Sequence, residues 1–196
     1  MKIRLEEEKD YFMNENLTRE AFWNVYRPGC YEHYILHKIR TDKCYVKELS
    51  YVMEDKQRLV GSIVYAKGKV RNENGINEVL LFGPVSILPE YQGAGYGKKL
   101  IKFTLKKAKE LGYPAVVITG KPEYYEKLGF KSASKYNIFY KGMENEENLF
   151  FMVKVLDRHK MKSIYGIYSD PEVYMVDQKD AVSYTHLRAH ETLANL

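Results

Sequence analysis

The chain has 196 residues, 45% apolar and 29% charged, with a formal net charge of +5. A chain of this length is expected to form one domain with a core large enough to stand without covalent staples. No apolar run reaches membrane-spanning length and Met1 to Glu8 contains no apolar leader segment, so a cytoplasmic protein with no membrane partner is expected. Cys30 and Cys44 are too few for a disulfide framework, no His/Cys spacing points to a metal, and the scattered lysines argue against a nucleic-acid partner.

Lys2 to Leu5 alternates as a short first strand. Phe12, Leu17, Ala21, Phe22 and Val25 suit a helix between Asp10 and Tyr26, and Pro28-Gly29 then breaks the chain. A second helix is predicted over Tyr31 to Arg40 with Tyr34, Ile35 and Ile39 inward. Tyr51 to Glu54 and Leu59 to Tyr65 read as a hairpin around the polar turn Asp55 to Arg58. After a second turn at Arg71 to Gly75, a strand from Ile76 to Leu88 returns antiparallel. Gly83-Pro84 inside that strand conflicts with a regular ladder, and a β-bulge is the expected resolution.

Pro89 stops the strand, and Gly93, Gly95 and Gly97 follow within five positions at the start of a helix. That helix carries the stripe Leu100, Ile101, Leu105, Ala108 and Leu111, with Gly112 as its C-cap. A glycine turn at a helix N-terminus is an anion cradle: the first N–H groups lack intrahelical acceptors, the helix dipole adds positive potential, and missing Cβ atoms let phosphate oxygens approach. The spacing is not that of a P-loop and matches a dinucleotide fold poorly. Ala115 to Thr119 is a buried strand parallel to the one before the turn. Pro122 then opens a short helix closed by Gly129. Further strands are predicted near Ala133 to Tyr140 and Leu149 to Leu156 around a charged turn at Gly142 to Glu147, with an edge strand at Tyr174 to Val176.

The order Pro89-x-x-Gln92-Gly93-x-Gly95-x-Gly97 after a buried strand resembles the GNAT superfamily of N-acetyltransferases, in which this turn binds the pyrophosphate of acetyl-coenzyme A. The run Tyr124-Tyr125-Glu126-Lys127-Leu128-Gly129-Phe130 is a second point of resemblance. The likeness spans roughly Met1 to Asp177 and is greatest to the bacterial YhbS-like branch, marked here by Glu20 to Tyr26, Pro28-Gly29-Cys30 and Tyr165 to Tyr174. Gln92 stands where a basic residue is commoner, and Tyr96 fills a usually aliphatic position.

The resemblance implies an α/β (α+β) GNAT fold in one domain, residues 1–177. Its mixed, mostly antiparallel sheet of about six to seven strands is flanked by helices, and a splayed central strand pair receives the pantetheine arm. It implies acetyl-CoA as co-substrate, with Val85, Ile87, Gln92, Gly93, Ala94, Gly95, Tyr96, Gly97 and Lys98 as cofactor contacts and Lys99 close by. Tyr125 is implied as the general acid for the leaving thiolate, although a phenol near ~10 protonating a thiolate near ~8.5 is slightly uphill. Backbone N–H groups on the Val85 to Ile87 stretch, Ser86 and Ile87 among them, lie near the thioester and can stabilise the oxyanion.

Ser86 has no His/Asp partners at readable spacing, so direct transfer is expected rather than a covalent intermediate. Glu78, Glu32 and His33 are the candidate bases, and Glu32, His33 and His37 the candidate acceptor contacts. The acceptor partner is a small-molecule or protein amine, and the state a monomer or homodimer. A non-catalytic acyl-CoA sensor and a nucleotide-binding protein are the alternatives. Finally, Val182 to Thr192 back-translates to a string resembling a transposon adaptor used in sequencing libraries, so residues 182–196 are expected to be a non-native tail.

Overall fold

The computed structural model describes residues 1–144, 148–177, 179, 180 and 184. The chain runs β1 (Lys2–Leu5), α1 (Tyr11–Phe22), α2 (Glu32–Ile39), β2 (Tyr51–Asp55), β3 (Arg58–Asn72), β4 (Gly75–Ile87), α3 (Tyr96–Glu110) and β5 (Ala115–Thr119). It continues through α4 (Pro122–Tyr125), β6 (Lys131–Ser132), β7 (Ile138–Tyr140), β8 (Phe151–Val155) and β9 (Gly166–Ser169). Seven strands lie in the order β1-β2-β3-β4-β5-β8-β6, and β9 joins the far end of β3 and carries β7 on its other side. Among the described residues only β4–β5 and β7–β9 are parallel. The expected mixed, mostly antiparallel sheet is therefore present, extended by β7 and β9 to nine strands.

Strand alternation divides the core. Tyr65, Leu80 and Phe82 face α3, which buries Leu100, Ile101 and Leu105 against them. Val64, Ala66 and Leu81 face the other way, onto Leu36 and Ile39 of α2. The turn of the β2–β3 hairpin places Lys56 and Gln57 at φ +47° and +70°, the two positive dihedrals a tight twisted hairpin needs.

Several expectations are corrected. In α1 the buried positions are Asn14, Glu15, Leu17 and Thr18, whereas Val25 is exposed. The reason is Arg40 at the end of α2, whose guanidinium lies between two buried carboxylates, 2.7 Å from Glu6 and 2.6 Å from Glu15. Asn14 Nδ2 also donates to Glu6 at 2.6 Å, so the inward face of α1 is polar because its partner is charged. In α2, His33, Leu36 and Ile39 point inward, not Tyr34 and Ile35. Leu111 is exposed because α3 ends at Glu110, just before Gly112 at φ +80°.

The stretch after Ala133 makes a 3-10 turn, Ala133–Tyr136, and reaches β7 through Asn137 at φ +55°. Residues 145–147 of the charged turn, and 182–196 apart from Tyr184, lie outside the described residues. Tyr184 donates to Glu15 and stacks on His33, Tyr34 and His37.

The edge strand expected at Tyr174 to Val176 is instead a 3-10 turn, Glu172–Tyr174, and the added strand is β9 upstream. Glycine explains the choice. Gly166 adopts φ +115°, and a Cβ there would sit 2.1 Å from the Arg71 carbonyl oxygen. Only a residue without a side chain can start β9 that close to β3. Gly166→Ala is expected to lower stability by about 2–4 kcal/mol, combining backbone strain with a steric clash, and a urea-melting midpoint will read it.

Candidate active site

The site begins where the sheet opens. β4 and β5 pair only at Leu80↔Val116 and Leu81↔Val117. Beyond them, Ile63↔Val85 and Tyr65↔Phe82 leave Gly83 and Pro84 opposite Val64 alone, which is the expected bulge. The Leu88 N–H donates to Val60 at 3.0 Å, so alternation along an antiparallel ladder turns the Ser86 amide toward β3 and those of Val85 and Ile87 toward the split. The Ile87 carbonyl, on the same open edge, accepts from Gln92 Nε2 at 2.9 Å. Tyr174 closes the far end of the split by donating to the Gly83 carbonyl at 2.8 Å.

The glycine turn faces this open edge. Gly93 and Gly95 stand at φ +76° and +83° with nothing within 4 Å of an added Cβ, so dihedral freedom is what they supply. Gly97 is different: it has no positive φ, and an added Cβ would only come into contact with the Tyr124 hydroxyl at 3.4 Å. Gly95 is the N-cap of α3, and its side chain, being absent, leaves the first N–H groups of that helix to the cleft. The cleft is about 450 Å³ and is lined by every residue named for cofactor contact except Ala94; Lys99 does not line it either. Through its bond to the Ile87 carbonyl, Gln92 braces the turn against β4 while also lining the cleft. The last residue of α1, Phe22, and Tyr26 just beyond it also line the cleft; both lie in the Glu20 to Tyr26 run, to which the sequence reading gave no role in the site.

A second cavity of about 360 Å³ lies across the split and shares Phe22, Tyr26, Val85 and Tyr125 with the first. Tyr125 thus stands at the junction. Its ring packs edge-on against Tyr124 and Phe130, at 5.0 and 5.6 Å, and lies over Gly120, where a Cβ would come within 2.2 Å. Its hydroxyl makes no hydrogen bond among the described residues. Burial, followed by the neighbouring Tyr124 and Tyr26 hydroxyls, raises its pKa well above that of a free phenol, so it holds its proton at neutral pH.

The remaining candidates separate. Glu32 lines the second cavity. Ser86 lines neither space; its Oγ is buried 2.9 Å from Thr18 Oγ1, and its amide faces β3, so only Ile87 of that pair presents backbone to the split. Glu78 is far away, seven residues and roughly 23 Å along an extended strand from Val85, and pairs with Lys67 at 3.2 Å. It cannot reach an amine held at the split. His33 is buried within the helical layer 3.3 Å from Cys30 Sγ, and burial drops its pKa to about 4. His37 faces Glu15 at 3.2 Å, outside both spaces. What sequence reasoning missed is Asp170, which lines the second cavity opposite Glu32's helix; its signal was the Tyr165 to Tyr174 run, noted there without a role.

An antiparallel sheet that opens between two parallel central strands, beside a glycine turn at a helix N-terminus, defines the GNAT fold. Residues 46–132 match the family model described as Acetyltransferase (GNAT) domain. It is similar to two curated relatives from Escherichia coli strain K12. One is the uncharacterized N-acetyltransferase YjhQ, 28% identical over 83 residues, which are 42% of this chain and 46% of that one. The other is the uncharacterized N-acetyltransferase YhbS, 25% identical over 104 residues, 53% of this chain and 60% of that one. The matched chain thus spans about half the length of these relatives.

In structure the fold resembles E. coli YhbS in complex with CoA, with a TM-score of 0.76 at 22% identity, covering 89% of this chain and 92% of that one. It also resembles a GNAT family acetyltransferase from Brucella melitensis in complex with acetyl-CoA, with a TM-score of 0.71 at 24% identity, covering 88% and 97%. No described helix is long and apolar enough to cross a membrane. Among the described residues no group of three or more His, Cys, Asp or Glu side chains is placed to hold a metal.

Proposed function

We propose that the protein is an acetyl-CoA-dependent N-acetyltransferase that moves an acetyl group directly to a primary amine, with residues 1–177 as the active unit and residues 182–196 outside it. The observation that carries this reading is the meeting of the two cavities at Tyr125 and Val85, one beside the glycine turn and one beside two carboxylates. The cleft residues fit acetyl-CoA. Gly93 and Gly95 leave an open approach to backbone donors, Lys98 adds positive charge, and the unpaired edge of β4 offers an extended ligand a strand to lie against. When bound, that co-substrate supplies an acyl group activated as a thioester.

The chain's own groups divide the remaining work. The amides of Val85 and Ile87 face the split and are placed to donate to a developing oxyanion, where loss of one donor typically costs about 2.7–4 kcal/mol. The Tyr125 hydroxyl keeps its proton at neutral pH and donates a hydrogen bond to the departing sulfur. Full proton transfer from so weak an acid is uphill in water, but the apolar surroundings that raise the phenol also raise the thiol. The amine loses its proton to a carboxylate of the second cavity or to solvent, with Glu32 the only one of the named candidate bases within reach.

The test pairs binding with turnover. Calorimetry should register acetyl-CoA binding, and a thiol-release assay over a panel of amines should give turnover; binding without turnover would favour the sensor instead. Gly95→Ala should weaken acetyl-CoA roughly tenfold, because holding alanine at φ +83° costs about 1–2 kcal/mol that the free turn can relax away.

A further inference from the structure

The second cavity carries an excess of negative charge among the described residues. There its lining contains two carboxylates, Glu32 and Asp170, and no lysine, arginine or histidine, although the whole chain has a net charge of +5. Asp170 is half-buried and built in place: the Tyr168 hydroxyl donates to Oδ1 at 2.7 Å and the Tyr140 hydroxyl donates to Oδ2. Tyr168 is itself fully buried, stacked on Phe151 at 5.0 Å and fitted against Gly68, where a Cβ would come within 2.5 Å of its ring. Among the described residues Asp170 makes no ion pair. The other walls are mostly aromatic and aliphatic, including Tyr26, Phe151 and Tyr174.

Two tyrosine donors and an aromatic surround hold a carboxylate in a fixed position without neutralising it. Such a group lowers its energy most when a cation arrives, and ring faces add attraction for the same charge. Acidic ligands are repelled by the same two carboxylates. At about 360 Å³ the cavity also sits at the small end of ligand pockets, which suits a small amine.

We propose that this cavity takes a small cationic amine with an apolar body and no carboxylate, and that Asp170, set by Tyr140 and Tyr168, holds its positive charge. This rests on the acetyltransferase reading and narrows its acceptor to short alkylamines, diamines and arylalkylamines. Amino acids and acidic peptides are rejected by charge.

The test does not need acetyl transfer. N,N-Dimethylphenethylamine and N,N-dimethylbutylamine are tertiary amines that cannot yield a stable amide, and each is titrated calorimetrically into the full chain with coenzyme A present. 2-Phenylethanol and phenylalanine serve as neutral and carboxylate-bearing controls. At least one tertiary amine should bind about tenfold or more tighter than both controls, and Asp170→Asn should weaken it roughly 30-fold while leaving 2-phenylethanol unchanged.

Should Asp170→Asn fail to fold, Tyr140→Phe, which removes one hydroxyl from the carboxylate, is expected to weaken amine binding by about fivefold. The charge comparison in the unaltered chain stands independently of either variant. Equal affinity for amine and alcohol, tighter binding of phenylalanine, no binding of either amine, or amine binding indifferent to Asp170→Asn would each overturn the proposal. Amine binding without thiol release in any assay would instead sink the acetyltransferase reading and leave this site standing.

Discussion

Tyr125→Phe is expected to lower kcat for acetyl transfer by about 10²–10³-fold while acetyl-CoA affinity stays within about threefold. The substitution removes one hydroxyl and keeps the ring, whose packing against Tyr124, Phe130 and the bare Gly120 backbone sets its position. A purely structural tyrosine would show the reverse pattern, with melting temperature falling and kcat per folded molecule unchanged. The raised pKa adds a second readout. Because burial holds the phenol protonated beyond its ordinary range, no loss of activity through Tyr125 ionisation should appear below about pH 10. A kcat indifferent to the hydroxyl would remove Tyr125 from the mechanism and leave the oxyanion donors as the main source of rate.

Arg40→Ala is expected to destabilise the protein by about 3–5 kcal/mol, read by chemical denaturation. The guanidinium is almost fully buried between Glu6 and Glu15 and lies 4.0 Å above the Tyr11 ring, and its removal strands both carboxylates without the cation that faces them. A buried pair contributes little net stability beside an apolar replacement, but breaking one side leaves uncompensated charge. The triple variant Arg40→Met, Glu6→Gln, Glu15→Gln should therefore recover most of the loss. The consequence reaches the site, because α1 ends in Phe22 and α2 begins at Glu32, both of them cavity residues. Near-native stability in Arg40→Ala would mean that the helical layer does not depend on this ion cluster.

Features that depend on the chain's neighbours in sequence were readable. Gly93 and Gly95 of the turn need positive dihedrals, a local demand that a glycine run announces. The bulge followed from Gly83-Pro84 for the same reason, since neither residue supports a regular ladder. Tyr125 could be placed through its motif, which fixes the short α4 and the glycine that ends the following turn.

Features that depend on register and distant partners were not. Ser86 and Ile87 are adjacent in sequence, yet strand parity turns one amide into β3 and the other toward the split. Glu78 shares a strand with the site but sits too many residues away to touch it. The polar inner face of α1 contradicts its apolar pattern because the residue it serves, Arg40, lies on another helix.

By itself, then, the sequence determined the central strand, the glycine turn, the helix behind it and the tyrosine beside them, because each is encoded within a few consecutive residues. The tertiary structure alone decided which carboxylates face the second cavity. Asp170 reaches it only because Gly166 lets β9 close onto β3 and two tyrosines then hold the side chain there, and a charge brought in from so far along the chain leaves no local pattern.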